Sequence, residues 1–297
     1  MDSLVFTNCQ LCEANSPKFL YVIPGFKGDH RKFNVVKCAV CDFVYINPRY
    51  SEKENIELYE ESYFTDQVKD LSGKVRSFID DREDKINDHR IEWGFLKKYK
   101  RGGRILDFGS GPGFFLDSLD GNWEKYAVDT SNFSISNIQD PTTNKFRGTL
   151  FKAGYEDNFF DAIYIGNTLD RLTNLSKTLS ELRRVLNVNG VILAVTPNIG
   201  SLCGRVFKER YRLLYSNHLV YFSTETLKKF FSQSGFRLLD VKYPYCGTSF
   251  FSYSGFFLGT GKILLQVFSN IFQVPIKLVS PPYPGNLISV IVARSYE

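Results

Sequence analysis

The stretch Ile105-Leu106-Asp107-Phe108-Gly109-Ser110-Gly111-Pro112-Gly113-Phe114-Phe115 decides how this chain is read. The apolar residues up to Phe108 fit a strand, the glycines that follow fit a turn, and the aromatic residues after Gly113 open a helix. Glycine carries no side chain, so such a loop can turn sharply and bring its backbone against a ligand. The first free N–H groups of a following helix then face a negative group. A dinucleotide loop places its third glycine one position later, where this chain has Phe114, so the pattern is D-x-G-x-G-x-G.

Outward from the loop, strand and helix patterns alternate. Strands are expected at 104–109, 126–130, 159–166, 190–196, 236–243 and 287–295. Helices are expected between them, notably at 175–187 and at 224–235, the latter capped by Ser223 and stopped by Gly235. The alternation predicts a doubly wound α/β sheet, mostly parallel. The second strand ends in Asp129, 22 residues beyond Asp107 (107 to 129). A carboxylate there can accept from both hydroxyls of a ribose and leaves no room for a phosphate, so loop and acid together point to a nucleoside cofactor.

The N-terminus carries two CxxC pairs, Cys9 with Cys12 and Cys38 with Cys41. Two thiolate pairs at this spacing suit tetrahedral zinc, and four sulfurs close the shell, which makes the metal structural. The residues between the pairs read as two strands around a turn at 28–32, so residues 1–50 are expected to form a zinc ribbon. Residues 51–101 are highly charged with apolar positions at helical spacing, among them Ile86, Ile91, Phe95 and Leu96, and are expected to form a helical lid or linker. Residues 102–297 form the main domain. Cys203 and Cys246 are expected to be small core residues.

These motifs resemble those of class I S-adenosylmethionine-dependent methyltransferases. The resemblance runs on through FFDAIYIGNTLDRLTNLSKTLSELRRVLNVNGVILAVTPN, through YSNHLVYFSTETLKKFFSQSGF and through the Tyr59–Phe64 segment. It implies a seven-stranded Rossmann-like sheet with a small ribbon, as in bacterial methyltransferases of sugars, glycans and small molecules. It implies S-adenosylmethionine bound by Asp107, Gly109, Ser110, Gly111, Gly113, Phe114, Asp129 and Asn167, with Asp107 ordering the loop. Two departures stand out. The family's VLEHL is Thr168-Leu169-Asp170-Arg171-Leu172 here, so Arg171 replaces a histidine. The acid that often faces adenine is absent from Arg147-Gly148-Thr149-Leu150, which leaves backbone groups and apolar stacking for that ring.

Methyl transfer to a hydroxyl or an acidic carbon needs a base beside the acceptor. His218 is expected at the carboxyl edge of the sheet, in a segment similar to the Tyr-x-Glu-His of sugar C-methyltransferases with Asn217 in place of the acid. It is the first candidate for the base, with Tyr215 and Tyr63 beside it. His30 and His89 are expected to be surface residues. Asn47-Pro48-Arg49-Tyr50 looks like the NPPY of nucleic-acid amino methyltransferases but precedes the glycine loop, and is rejected.

The formal net charge is +5 over 297 residues, with no run of basic residues, so no specific nucleic-acid partner is expected. The first residues lack the pattern of a signal peptide, no stretch of 18 uncharged apolar residues occurs, and a cytoplasmic location is the default. Leu264, Val267, Phe268, Ile271 and Phe272 share one helical face opposite Lys262, Gln266, Ser269, Asn270 and Gln273. Residues 256–279 are therefore a candidate for peripheral membrane contact. A small-molecule or glycan methyltransferase is the leading expectation. The alternatives are an RNA methyltransferase that grips RNA with its ribbon and a non-catalytic cofactor-binding scaffold.

Overall fold

The computed structural model describes residues 4–66, 68–69, 75–276 and 278–295. The chain begins with an antiparallel meander of β1 (Pro17–Pro24), β2 (Lys32–Cys38) and β3 (Val44–Ile46), with Cys38 opposite Pro17. A short strand from far along the chain, Val220–Tyr221, adds to β3 as the fourth member of this sheet. Phe33, Val35, Phe43, Tyr45 and Ile46 are buried there. The ribbon is thus stitched by backbone hydrogen bonds to the segment that follows His218.

Helix α1 (Glu52–Glu57) starts at a capping box in which Ser51 and Glu54 bond each other's backbone N–H. Helix α2 (Glu61–Thr65), an antiparallel pair of two-residue strands, β4 (Val68–Lys69) and β5 (Val75–Arg76), and α3 (Arg82–Leu96) follow within residues 51–101, where only helices were expected. Trp93, Phe95 and Leu96 of α3 pack under the main sheet.

The main sheet contains β6 (Gly103–Phe108), β7 (Trp123–Asp129), β8 (Asn144–Arg147), β9 (Phe160–Gly166) and β10 (Leu186–Pro197). These five pair in parallel. With the two-residue strand Val220–Tyr221 as β11, the sheet is completed by β12 (Phe236–Lys242) and β13 (Leu287–Arg294), and β13 runs antiparallel to both β10 and β12. The order is β12-β13-β10-β9-β6-β7-β8. Strands β9 and β10 are covered on both faces and read as continuous apolar runs. The chain leaves β6 toward one edge and returns on its other side as β9, so a crevice opens above their carboxyl ends.

Short helices α4 (Phe114–Asp117), α5 (Asn132–Ser136) and α6 (Leu150–Ala153) follow the first strands. The longer α7 (Leu175–Val185), then α8 (Leu202–Phe207), α9 (Thr224–Ser232) and α10 (Tyr253–Phe272) follow the later ones. Ser223 caps α9 by accepting from Thr226 N–H, and Gly235 beyond it adopts φ 72°. Edge strand β8 was not expected, because Asn-Lys-Phe-Arg shows no apolar alternation; its pairing with β7 decides the matter. Helix α4 is a single turn, so the loop before it must do most of the ligand holding.

One described helix, α10, is long and apolar enough to cross a membrane by length and composition, with mean hydropathy 1.2. It lies against the domain with its polar side inward: Gln266 and Ser269 are buried, whereas Leu264, Ile271 and Phe272 face outward.

Candidate active site

In the ribbon the two CxxC turns repeat the same local structure. Glu13 N–H bonds Cys9 O and Asp42 N–H bonds Cys38 O, at 2.8 and 3.1 Å, and both residues take left-handed backbone, φ 61° and 63°. Each turn therefore aims two sulfurs inward. Cys9 Sγ is 3.5 Å from Cys41 Sγ, Cys12 Sγ is 3.6 Å from Cys38 Sγ, and all four lie within 4.8 Å of one another. Tetrahedral zinc with Zn–S near 2.3 Å separates its sulfurs by about 3.8 Å, so the set fits that ion. Burial raises the Cys9 thiol, and raises Cys41 to about 11. Cys38 is also desolvated, but the N–H groups of Val40 and Cys41 bring it down to about 7. Of the two remaining cysteines, Cys203 is a core residue as expected. Cys246 is exposed, because it sits in the loop after β12 rather than beneath it.

Above the carboxyl ends of β6, β7 and β9 lies a cavity of about 660 Å³. Gly109, Ser110, Gly111, Asp107 and Phe114 form one wall, and Asp129 and Thr130 the next. Gly148, Thr149, Leu150 and Phe151 form another wall, with no acid among them. Gly109 holds φ 76°, and a Cβ there would meet Thr168 Oγ1 at 2.2 Å, so no other residue fits.

Asp129 Oδ2 accepts from Gly111 N–H and Oδ1 from Ser131 N–H, both at 2.8 Å. Asp129 thus ties the loop down, the role the family resemblance gave to Asp107. Asp107 Oδ1 is instead buried without a hydrogen-bond partner. Burial, then the neighbouring charges of Asp129 and Glu92, push the Asp107 carboxyl well up. Burial also raises Asp129, against its two backbone hydrogen bonds.

A family model described as a methyltransferase domain matches residues 81–241, more than half of the chain. The chain belongs to this methyltransferase family. Among curated proteins, a demethylmenaquinone methyltransferase from Roseiflexus sp. (strain RS-1) is 29% identical over 128 residues, 40% of this chain and 50% of that protein. The chain thus spans about half the length of the curated relative it matches. Among solved structures, a chain from the complex of the Haloferax volcanii Trm112 methyltransferase activator with its methyltransferase superposes with TM-score 0.52 at 11% identity. It covers 71% of this chain and 91% of that one. A Bacillus halodurans protein described as a methyltransferase superposes with TM-score 0.51 at 13% identity, covering 70% of this chain and 99% of that one. The last two show a shared class I methyltransferase fold.

Within the methyltransferase domain, Asn167 stands at the cavity with φ 48°, its N–H bonded to Val195 O at 2.8 Å. Gly113 is not at the wall. It caps α4 with φ 81°, and a Cβ there would press on Ile138 at 3.2 Å, so its role is to let the helix start close to its neighbour. The segment expected as a lid supplies a full side of the cavity: Tyr59, Tyr63, Phe64, Phe78 and His89. His89 was expected at the surface. Its ring lines the cavity because Glu92, one turn along α3, bonds Nδ1 at 2.8 Å, and Glu92 in turn accepts from Tyr164. A His and an acid three apart on a charged helix was the signal available for it.

Arg171 also lines the cavity. Its guanidinium lies over the rings of Tyr59 and Tyr63, 4.6 and 5.5 Å from their centroids, and Nη2 donates to Tyr63 Oη at 3.1 Å. The departure from the family's histidine therefore puts a half-buried cation beside the phenol expected to do chemistry.

His218 is not brought to the cavity wall. It is buried behind Asp170, with Nε2 3.4 Å from Asp170 Oδ2, and packs against the rings of Tyr215 and Tyr221. The loop folds inward because Tyr59 holds it: Tyr59 Oη donates to Asn217 O and accepts from Asn217 Nδ2, both at 3.0 Å. Burial, reinforced by Arg171 and opposed by Asp170, lowers the imidazole to about 4, so it is neutral at pH 7. Tyr215 is largely exposed beside Phe26 and does not line the cavity either. His218 is thus packed beneath the loop rather than presented to the cavity. His218→Ala is expected to destabilise the fold by about 2–4 kcal/mol, through a cavity and a stranded Asp170 carboxylate. Turnover per folded molecule should stay within about tenfold of wild type. Normal thermal stability together with a hundredfold loss of turnover would restore it as the base.

Proposed function

We propose that this chain transfers a methyl group from S-adenosylmethionine to a small-molecule or glycan acceptor, lipid-linked and nucleotide sugars included, in the cytoplasm. One observation carries the reading: a D-x-G-x-G-x-G loop and Asp129 face one cavity in which Asp107 keeps a buried, unpartnered carboxylate oxygen. Two carboxylates desolvated side by side favour a ligand that brings positive charge and donors. S-adenosylmethionine supplies an electrophilic methyl on a sulfonium when bound. Asp129 would accept from its ribose hydroxyls, Asp107 would face its ammonium group, and Leu150 and Phe151 would stack on adenine. The curated relative, by its name, methylates a small molecule, which supports the same acceptor class here.

On the acceptor side, Tyr63 is the group in place to orient the acceptor. The Arg171 guanidinium donates to its oxygen, so the Tyr63 O–H is left to hydrogen-bond an acceptor hydroxyl and orient it toward the methyl. His89, oriented by Glu92, is a second group on the same cavity. The test is to incubate extracts with the chain and methyl-deuterated cofactor and to search for labelled products by mass spectrometry. A labelled small molecule or glycan that disappears with Asp129→Ala supports the proposal. Label confined to RNA contradicts the acceptor class, and no label despite intact cofactor binding contradicts catalysis.

The four ribbon cysteines are proposed to hold one structural zinc per chain. Elemental analysis of protein purified without chelator is expected to find about one zinc, lost together with the ribbon's fold in Cys38→Ser. Metal-free protein that is fully folded would contradict this.

A further inference from the structure

We propose that α10 is an interfacial helix that seats the chain on an anionic lipid surface. The helix is amphipathic the wrong way round for a free-standing monomer. Its buried side is Gly259, Ile263, Gln266 and Ser269, and at its edge Gln266 bonds Asn270 and Asn270 bonds Val206 O. Gly259 sits against Pro281 and Tyr283, and Thr260 bonds the Tyr283 hydroxyl. The outward arc carries Phe257, Leu258, Leu264, Leu265, Ile271 and Phe272, each more than half exposed. Six such side chains present several hundred Å² of contiguous apolar surface, as large as the biggest patch on typical monomers, and such patches mark docking sites. Because one side is packed along its length, α10 cannot be surrounded by lipid as a spanning helix would be. At 20 residues it is about 30 Å long, enough to lie in the interface plane.

Charge selects the occupant. Over its 20 residues α10 has no Asp or Glu, and its one charged side chain is Lys262. Lys262 flanks the apolar arc on α10 itself. The adjoining segment after α8 adds Lys208 and Arg210, with the single acid Glu209 between them. A second copy docked by two-fold symmetry would set the acid-free, lysine-bearing helix against itself, with like charges facing. Anionic headgroups meet the same lysines with attraction while the apolar arc enters the acyl boundary. The start of α10 also adjoins the cavity. Lys85 lies between the ring of Phe78, which lines the cavity, and that of Phe250, at 5.1 and 5.6 Å. A membrane under α10 would therefore lie near the cavity rim.

The test is flotation of the full chain with vesicles of phosphatidylcholine alone and of phosphatidylcholine mixed with phosphatidylglycerol. The chain is expected to float with the mixed vesicles, to bind the neutral ones at least tenfold less, and to be released by salt. The double variant Leu264→Glu, Ile271→Glu should lose about tenfold or more of the binding while keeping its thermal midpoint and its affinity for S-adenosylhomocysteine. Should that variant fail to fold, Ile271→Trp gives a second readout, a blue-shifted emission with mixed vesicles only. No flotation with either vesicle, equal binding to both, or unchanged binding by the folded double variant overturns the proposal. So does a dimer in sedimentation that the two glutamates split, which would assign the face to a second copy. Vesicle binding needs no turnover, so its failure is distinct from failure of the methyl-transfer reading.

Discussion

Asp129→Ala is expected to weaken binding of S-adenosylhomocysteine by about 30- to 1,000-fold, or about 2–4 kcal/mol, as measured by calorimetry. Two losses combine. The carboxylate would be a charged acceptor for two ribose hydroxyls, and in the free chain it already holds Gly111 and Ser131 by their N–H groups. Its removal therefore also loosens the glycine loop. The wild-type affinity should depend on pH with a definite sign. Burial raises Asp129, and burial with nearby carboxylates raises Asp107. The ligand's donors favour the ionised forms, so affinity should fall as pH drops through these raised values. Unchanged affinity in the variant would mean that the cofactor binds elsewhere.

Tyr63→Phe should lower turnover by about 10²- to 10⁴-fold on an acceptor that must lose a proton, with cofactor affinity within a few-fold of wild type. The substitution deletes one oxygen and leaves the ring against Phe64 and Tyr59. Arg171→Met should move turnover in the same direction, because it removes the cation that donates to that oxygen. Single-turnover kinetics with the identified acceptor reads both. A Tyr63→Phe enzyme as fast as wild type would move the acceptor-orienting role to His89, whose ring stands on the same cavity.

The parts of this site legible in the sequence are those that depend on local chain geometry. A glycine loop between strand and helix, an acid at the end of the next strand and two CxxC turns are each specified within a few residues, and the structure brings each set together. What sequence reading misplaced depends on which way a segment turns once packed. His218 follows the correct strand, yet the Tyr59–Asn217 bonds pull its loop inward. His89 lies on a charged helix, yet Glu92 and Tyr164 hold its ring against the cavity. Arg171 could be read only as a missing histidine until its stacking on two tyrosines was visible. Helical periodicity correctly paired Leu264 with Ile271 and Gln266 with Ser269 on opposite faces of α10. It cannot say which face meets the protein, and here the polar one does.

A crystal structure of the chain with S-adenosylhomocysteine tests the central claim most directly. The account predicts one ligand in the cavity above β6 and β7, its ribose hydroxyls on Asp129, its amino group toward Asp107, and its adenine against Leu150 and Phe151. A ligand bound outside that cavity, or a cavity still empty at saturating ligand, would contradict it.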